Sequence, residues 1–174
     1  PDMQRVSPER VEAAHRVVKR AGVSKPTSLV LYQGDEAQWY GNIADITMID
    51  RYPVPWLPLA NFSQHIHKTR LATNAERPLI AVIQSFDWTA HQSLLPGEEN
   101  LRPPTERELR SMTYSALARG ANGIFYFSYA DMRLKERKYP ELWEALKQVV
   151  KEVRQREVLF AAEHVWWPKA HHFE

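Results

Sequence analysis

The side chains that could do chemistry fall in four short polar segments, each of which follows an apolar run. The segments are residues 33–36, 50–52, 84–88 and 128–131. Three of the four contain an acidic group together with an aromatic ring. Carboxylates accept hydrogen bonds from sugar hydroxyls, and aromatic faces stack on the C–H surfaces of sugars. These residue types therefore suit a carbohydrate ligand.

Strand and helix signals alternate along the chain and would position these segments. Four apolar runs predict buried strands, at residues 28–33, 46–50, 79–84 and 123–128. Helical signals predict helices at residues 8–21, 58–66, 105–120 and 140–153, with a short helix at 36–40. Because helices separate the strands, we expect parallel pairing with right-handed crossovers. The polar segments would then share the carboxyl edge of one sheet, and the long loop at 85–104 would lie beside them.

Length and glycine content narrow the choice of α/β fold. A complete (β/α)8 barrel needs at least about 200 residues, whereas this chain has 174. A doubly wound sheet that binds a nucleotide usually carries a glycine-rich phosphate loop. The chain has only six glycines and no such loop. An open α/β protein that binds a small ligand remains a third and weaker hypothesis.

Three stretches carry a resemblance to a known superfamily. They are RPPTERELRSMTYSALARGANGI at 102–124, ADITMIDRYP at 44–53 and VIQSF at 82–86. They resemble the seventh-to-eighth-strand connection and the ends of the sixth and seventh strands of glycoside-hydrolase-type TIM barrels. The opening SPE helix at residue 7 resembles their fourth helix. The resemblance covers roughly residues 5–160.

The resemblance implies a parallel (βα)4 half of a (β/α)8 TIM barrel, containing strands five to eight. Missing upstream sequence or a partner chain, including a second copy in a homodimer, would complete the barrel. Residues 1–160 would form the half-barrel, and residues 161–174 would be a C-terminal tail or an exit toward an absent accessory domain. A half-barrel would expose two strand edges, which favours association.

The same resemblance implies a carbohydrate-active protein, a glycoside hydrolase with part of its active site outside this chain. Such hydrolysis uses two carboxyl groups. The family's acid would lie at the end of the fourth strand, outside this sequence, and its retaining nucleophile would be a glutamate where this chain has Gln84. Asp50 and Asp87 are therefore the candidate catalytic carboxylates. The alternative is a non-catalytic carbohydrate-binding or assembly half-barrel.

Six further residues are candidate contacts to a sugar. They are Gln33, Tyr52, Gln84, Trp88, Tyr129 and Asp131. Structural interpretations compete with several of these assignments: Asp50 could form a strand-end cap or an ion pair, Asp87 and Asp131 could cap loops, and Gln84 could be a buried hydrogen-bonding residue. The sequence does not select the side to which Tyr129 points.

Composition excludes several classes of function. The chain has no cysteine, which rules out disulfides and thiolate sites. A net charge of +2 does not indicate a protein that binds nucleic acid or an anionic membrane. Neither histidine spacing nor any acidic motif predicts a metal site, and we expect no cofactor. Secretion or a periplasmic location is expected only if a signal peptide lies upstream.

Overall fold

A four-stranded parallel sheet is the centre of the protein. The computed structural model describes residues 6–73, 77–94, 97–134 and 139–161. The strands are β1 (Ser28–Leu31), β2 (Ile46–Ile49), β3 (Leu79–Gln84) and β4 (Gly123–Phe127). They lie side by side in chain order, and each neighbouring pair is parallel. The predicted α/β class and the parallel sheet are therefore confirmed.

The helices follow the same alternation. They are α1 (Pro8–Arg20), α2 (Ala37–Tyr40), α3 (Leu59–Ala72), α4 (Glu106–Ala118), α5 (Pro140–Gln155) and α6 (Glu157–Ala161). Short 3-10 turns occupy Gly34–Glu36 and Trp88–Leu94, and a π-helical turn occupies Ala130–Leu134. A capping box begins α4, because Thr105 and Glu108 each satisfy the other's backbone N–H. Residues 162–174 of the predicted tail lie outside the described residues.

One face of the sheet is packed against helices. Helix α3 contacts β2 and β3, α4 contacts β3, and the helices contact one another in the order α3, α4, α5. Leu31, Ile49 and Ile83 point into this layer and are at most 5% exposed. They meet Phe62 of α3 and Leu109 of α4 in one apolar cluster. The apolar strand runs thus form the core for the reason the sequence predicts.

The opposite face, which we call the open face, is apolar and partly exposed. Since side chains alternate along a strand, the register places Val30, Met48, Ile80, Val82 and Phe125 on this face. Val30 at one edge is 48% exposed and Phe125 at the other is 55% exposed. Parallel sheets are normally covered on both faces. The described part of the chain therefore presents a sheet covered by helices on one side.

Among the described helices, none combines the length and the apolar character that a bilayer span requires.

Candidate functional site at the carboxyl ends of the strands

The four polar segments meet at one edge of the sheet. Strands β1 to β4 end at Leu31, Ile49, Gln84 and Phe127, and all of them run in the same direction. Parallel strands bring the residues that follow them to a common rim. The backbone thus places the four polar segments, which begin at residues 33, 50, 84 and 128, at the same edge of the sheet, as the sequence predicts.

A group of packed rings, which we call the aromatic cluster, occupies the β2–β4 part of this rim. Its members are Tyr52, Phe86, Trp88, His91 and Phe127. Phe86 is 1% exposed, and its ring centroid lies 5.1 Å from those of both Tyr52 and Trp88. Phe127 is stacked on Tyr52 at 5.9 Å and is itself 41% exposed. The cluster therefore has a buried base and an accessible ring.

Trp88 joins the aromatic cluster to the proline-rich turn after β2. Its indole Nε1 donates a hydrogen bond of 2.9 Å to the carbonyl oxygen of Val54. Trp56 lies 5.9 Å from Trp88, ring centroid to ring centroid, and remains partly exposed. Trp88 is thus fixed by packing and by its indole hydrogen bond, whereas Trp56 is 39% exposed.

Asp50 is a carboxyl group at the end of β2 whose surroundings favour the protonated form. Its Oδ1 atom is buried and accepts no hydrogen bond from any described residue. Burial raises the pKa of Asp50 to about 6, against a smaller opposing contribution from its own backbone N–H. Its neighbour Arg51 is engaged elsewhere, since its Nε donates to Asn61 at 2.9 Å and its guanidinium lies 4.4 Å from the ring centre of Tyr32.

Tyr52 lies near enough to Asp50 to respond to its charge. Burial, and secondly the negative charge of Asp50, raise the pKa of the Tyr52 hydroxyl well above its usual range. The hydroxyl therefore remains protonated at every physiological pH. A carboxyl group whose pKa is raised to about 6 thus lies near Tyr52, a phenol of the aromatic cluster that stays neutral.

Gln84 uses its amide group within the protein. Its Oε1 accepts a hydrogen bond from Val54 N at 3.0 Å, and its Nε2 donates to Val54 O at 2.8 Å and to Phe86 O at 3.3 Å. The residue is fully buried. Of the two interpretations left open by the sequence, this geometry favours the buried hydrogen-bonding residue, which clamps the turn after β2.

Asp87 also serves the local backbone. Its Oδ1 accepts a hydrogen bond of 2.8 Å from Thr89 N, and the residue is only 3% exposed. This contact is the loop cap that was the alternative to a catalytic role. The structure thus brings Asp87 to the rim, but with its side chain turned into the protein.

Asp131 sits at the β4 side of the aromatic cluster with two polar neighbours. Ser128 Oγ donates a short hydrogen bond to Asp131 Oδ2 and accepts one of 3.2 Å from Asp131 N. Nε2 of His91, on the Trp88–Leu94 turn, lies 3.7 Å from the same carboxylate oxygen. The imidazole ring is stacked on Phe127 at a centroid distance of 6.3 Å. Asp131 is therefore hydrogen-bonded within its own turn and lies near the imidazole of a distant loop.

The remaining candidate contacts lie farther from the aromatic cluster. Tyr129 is 52% exposed and packs against Trp143 of α5 with ring centroids 5.6 Å apart, which settles its direction. Gln33 is half-buried at the end of β1, where its carbonyl accepts a hydrogen bond from Glu36 N at 3.1 Å. The structure therefore brings Asp50, Tyr52 and Trp88 together at the cluster and leaves Tyr129 outside it.

Two side chains at the rim could not be identified as site residues from the sequence. His91 is a lone histidine in a long loop, and its contact with Asp131 depends on how that loop folds back over β4. Ser85 is fully buried, and its Oγ has no hydrogen-bond partner in the described part of the chain. No group of three or more His, Asp or Glu side chains within the described ranges is arranged to hold a metal ion.

Comparison with known proteins adds no relative, since no family model, no curated protein and no solved structure matches this chain.

Proposed function

We propose that this chain forms one half of a carbohydrate site of the glycoside-hydrolase type, in which Asp50 is an acid–base carboxyl group. The observation that carries the proposal is the environment of Asp50. It is a carboxyl group at a strand end whose pKa is raised by burial to about 6. Glycoside hydrolysis needs one carboxylic acid that retains its proton near neutral pH, and burial is the usual cause.

The aromatic cluster supports a sugar as the ligand. Aromatic faces stack on the apolar C–H surface of a pyranose, while nearby polar groups bond its hydroxyls. Phe127 of the cluster is 41% exposed, and Trp56, which packs against Trp88, is 39% exposed. In the proposed reaction a sugar binds at these rings, Asp50 gives its proton to the leaving alcohol as the C–O bond breaks, and a water oxygen bonds to the anomeric carbon and releases a proton to solvent.

The open face supports the second part of the proposal, a complementary (βα)4 half. Strands β1 and β4 are the two edges of the described sheet, and both would accept another parallel strand. The side chains between these edges are apolar, as they are in parallel sheets that are covered on both faces. A second half-barrel would pair with both edges and cover the open face in one step, whether it comes from further sequence, from another protein or from a second copy of this chain.

Hydrolysis of a panel of aryl glycosides, measured from pH 4 to pH 9, tests this function. We expect kcat/KM to fall as the pH rises above about 6, because Asp50 then loses the proton that it must donate. The Asp50→Asn variant should lose activity by about 10²–10⁴-fold. Asp35→Asn is a matched control, since Asp35 is an exposed carboxylate on the same rim, paired with Lys68 at 2.9 Å. Equal activity of the wild type and of Asp50→Asn would refute the assignment.

A non-catalytic carbohydrate-binding half-barrel is the second candidate, and one observation favours it. The resemblance would have a nucleophilic glutamate at the position of Gln84, yet this side chain is a neutral amide bonded to Val54 and Phe86. Isothermal titration calorimetry with the same sugars distinguishes the candidates. Binding without hydrolysis by the wild-type protein would support the binding role, and no binding at all would contradict both.

A further inference from the structure

The 3-10 turn at Gly34–Glu36 is held against α3 by the imidazole of His65. The backbone N–H of Gly34 donates a hydrogen bond of 2.9 Å to His65 Nδ1, and His65 is 9% exposed. The two backbones also lie close together, because a Cβ built on Gly34 would stand 2.3 Å from the carbonyl oxygen of His65. This contact joins the segment that follows β1 to the middle of α3.

The direction of this hydrogen bond fixes the protonation state of His65. A ring nitrogen that accepts a hydrogen bond carries no proton, so the imidazole is neutral and its proton is on Nε2. A protonated imidazole has an N–H donor at both nitrogens. Nδ1 would then present a donor to the N–H of Gly34, and the hydrogen bond would be lost. The contact between the turn and α3 therefore requires the neutral form of His65.

The charged groups around His65 also favour the neutral ring. Burial lowers the pKa of His65, and the positive charges of Arg51, which follows β2, and of Lys68, on α3, lower it further. The negative charge of Asp35, on the turn itself, opposes them. The Asp35 carboxylate is already paired with Lys68 at 2.9 Å. A proton on His65 would therefore add a positive charge near two others, with one carboxylate to offset them.

We propose that His65 is a pH-sensitive switch, which holds the Gly34–Glu36 turn on α3 when it is neutral and releases the turn when it is protonated. The turn lies at the carboxyl edge of the sheet, directly after Gln33. Its release would change the shape of that edge. The inference does not depend on the proposed function, because it concerns only the contact between the turn and α3.

The sign of the pH dependence follows from the proton that release of the turn takes up. The imidazole in the released state has the ordinary pKa of about 6.5, whereas in the held state its pKa is lower. Well above pH 6.5 the ring is neutral in both states, and the turn stays in place. As the pH falls below 6.5, the released state binds a proton that the held state does not. The population of the released state should therefore rise by up to about tenfold for each pH unit.

Hydrogen exchange of backbone amides, measured on the full chain by NMR from pH 4 to pH 8, tests the switch. Protection factors correct for the effect of pH on the exchange reaction itself. The protection factor of Gly34 should fall below about pH 6.5, by up to about tenfold for each pH unit. Ile83, fully buried in β3, reports global unfolding and should not share this fall. A nitrogen–nitrogen scalar coupling between Gly34 N and His65 Nδ1 should be present at pH 8, because the ring then accepts the hydrogen bond.

Two histidine variants separate the ring of His65 from other effects of acid. In His65→Asn the side-chain amide oxygen can take the acceptor position of Nδ1 but does not titrate, so the protection of Gly34 should no longer fall below pH 6.5. His67 lies two positions along the same helix. His67→Asn should therefore keep the pH dependence of the wild type, which makes it the matched control.

Each outcome supports or overturns the switch. A fall in protection that occurs at Gly34 but not at Ile83, and that His65→Asn abolishes, supports it. Constant protection of Gly34 down to pH 4 overturns it, and so does an equal fall at Ile83, which would show unfolding of the whole chain. An unchanged pH dependence in His65→Asn also overturns it. If His65→Asn does not fold, the wild-type comparison of Gly34 with Ile83 and the coupling at pH 8 decide the question.

Discussion

Replacing Asp50 by asparagine should stabilise the protein above pH 6. The folded state raises the pKa of Asp50 from an ordinary value of 3.8 to about 6. A difference of this size corresponds to about 3 kcal/mol of unfolding free energy at full burial. Because the group is only partly buried, solvent screening reduces the expected effect to about 1–2 kcal/mol.

The sign follows from which state binds the proton more tightly. Between about pH 4 and pH 6 the folded state keeps the proton of Asp50 while the unfolded state releases it, so stability falls as the pH rises. Above pH 6 the folded protein bears the whole penalty of a half-buried carboxylate. Asparagine has no charge to desolvate, so the variant should match the wild type near pH 4 and exceed it at pH 7 and above.

Thermal unfolding from pH 4 to pH 8 measures this difference. We expect the Tm of Asp50→Asn to exceed that of the wild type by about 2–8 °C at pH 7. Asp35→Asn should show no gain, since the exposed Asp35 carboxylate loses only its surface ion pair with Lys68. Parallel profiles of Tm against pH for the wild type and Asp50→Asn would refute the reasoning, because Asp50 would then ionise as an ordinary surface carboxylate.

Three further substitutions test other parts of the structure. Gln84→Glu should destabilise the protein by about 1–3 kcal/mol at pH 8 and less at pH 4, because only the protonated acid can still donate to Val54 O; urea unfolding at both pH values measures this. Gly34→Ala should lower stability by more than about 2 kcal/mol, since the added Cβ would lie 2.3 Å from the backbone oxygen of His65; equal urea midpoints would contradict the contact. Phe125→Asp changes a residue that is 55% exposed, so it should leave the Tm within about 2 °C while reducing any self-association seen by light scattering.

The parallel sheet could be predicted because its signals are local. Each strand is an apolar run bounded by glycine, proline or polar residues, and a run of this kind predicts burial whatever its partner. Leu31, Ile49 and Ile83 are consequently almost fully buried. Proline at the start of α5 and the capping box of Thr105 and Glu108 likewise act within one turn of helix. Such features are determined by a few adjacent residues, so the sequence alone predicts them.

The contacts that the polar residues make could not be predicted, because their partners are distant in the sequence. Gln84 bonds to a turn 30 residues earlier in the chain. Its type and position at a strand end suit a ligand contact and a structural clamp equally well. His91 gains its neighbour Asp131 only when the long loop folds over β4. Tyr129 turns toward Trp143 because β4 ends at Phe127 and alternation stops before it.

The open face continues into the aromatic cluster, and through it to the surroundings of Asp50. Phe125 and Phe127 alternate onto the same side of β4, so the exposed apolar surface continues from the open face to the aromatic cluster. A group that covered Phe125 would also limit the access of water to Phe127. Because Tyr52 is stacked on Phe127 and lies near Asp50, the surroundings of Asp50 would become drier as well. Reduced access of water raises the energy of a carboxylate further. A cover over the open face would therefore raise the pKa of Asp50 further, and the described residues already provide part of that environment.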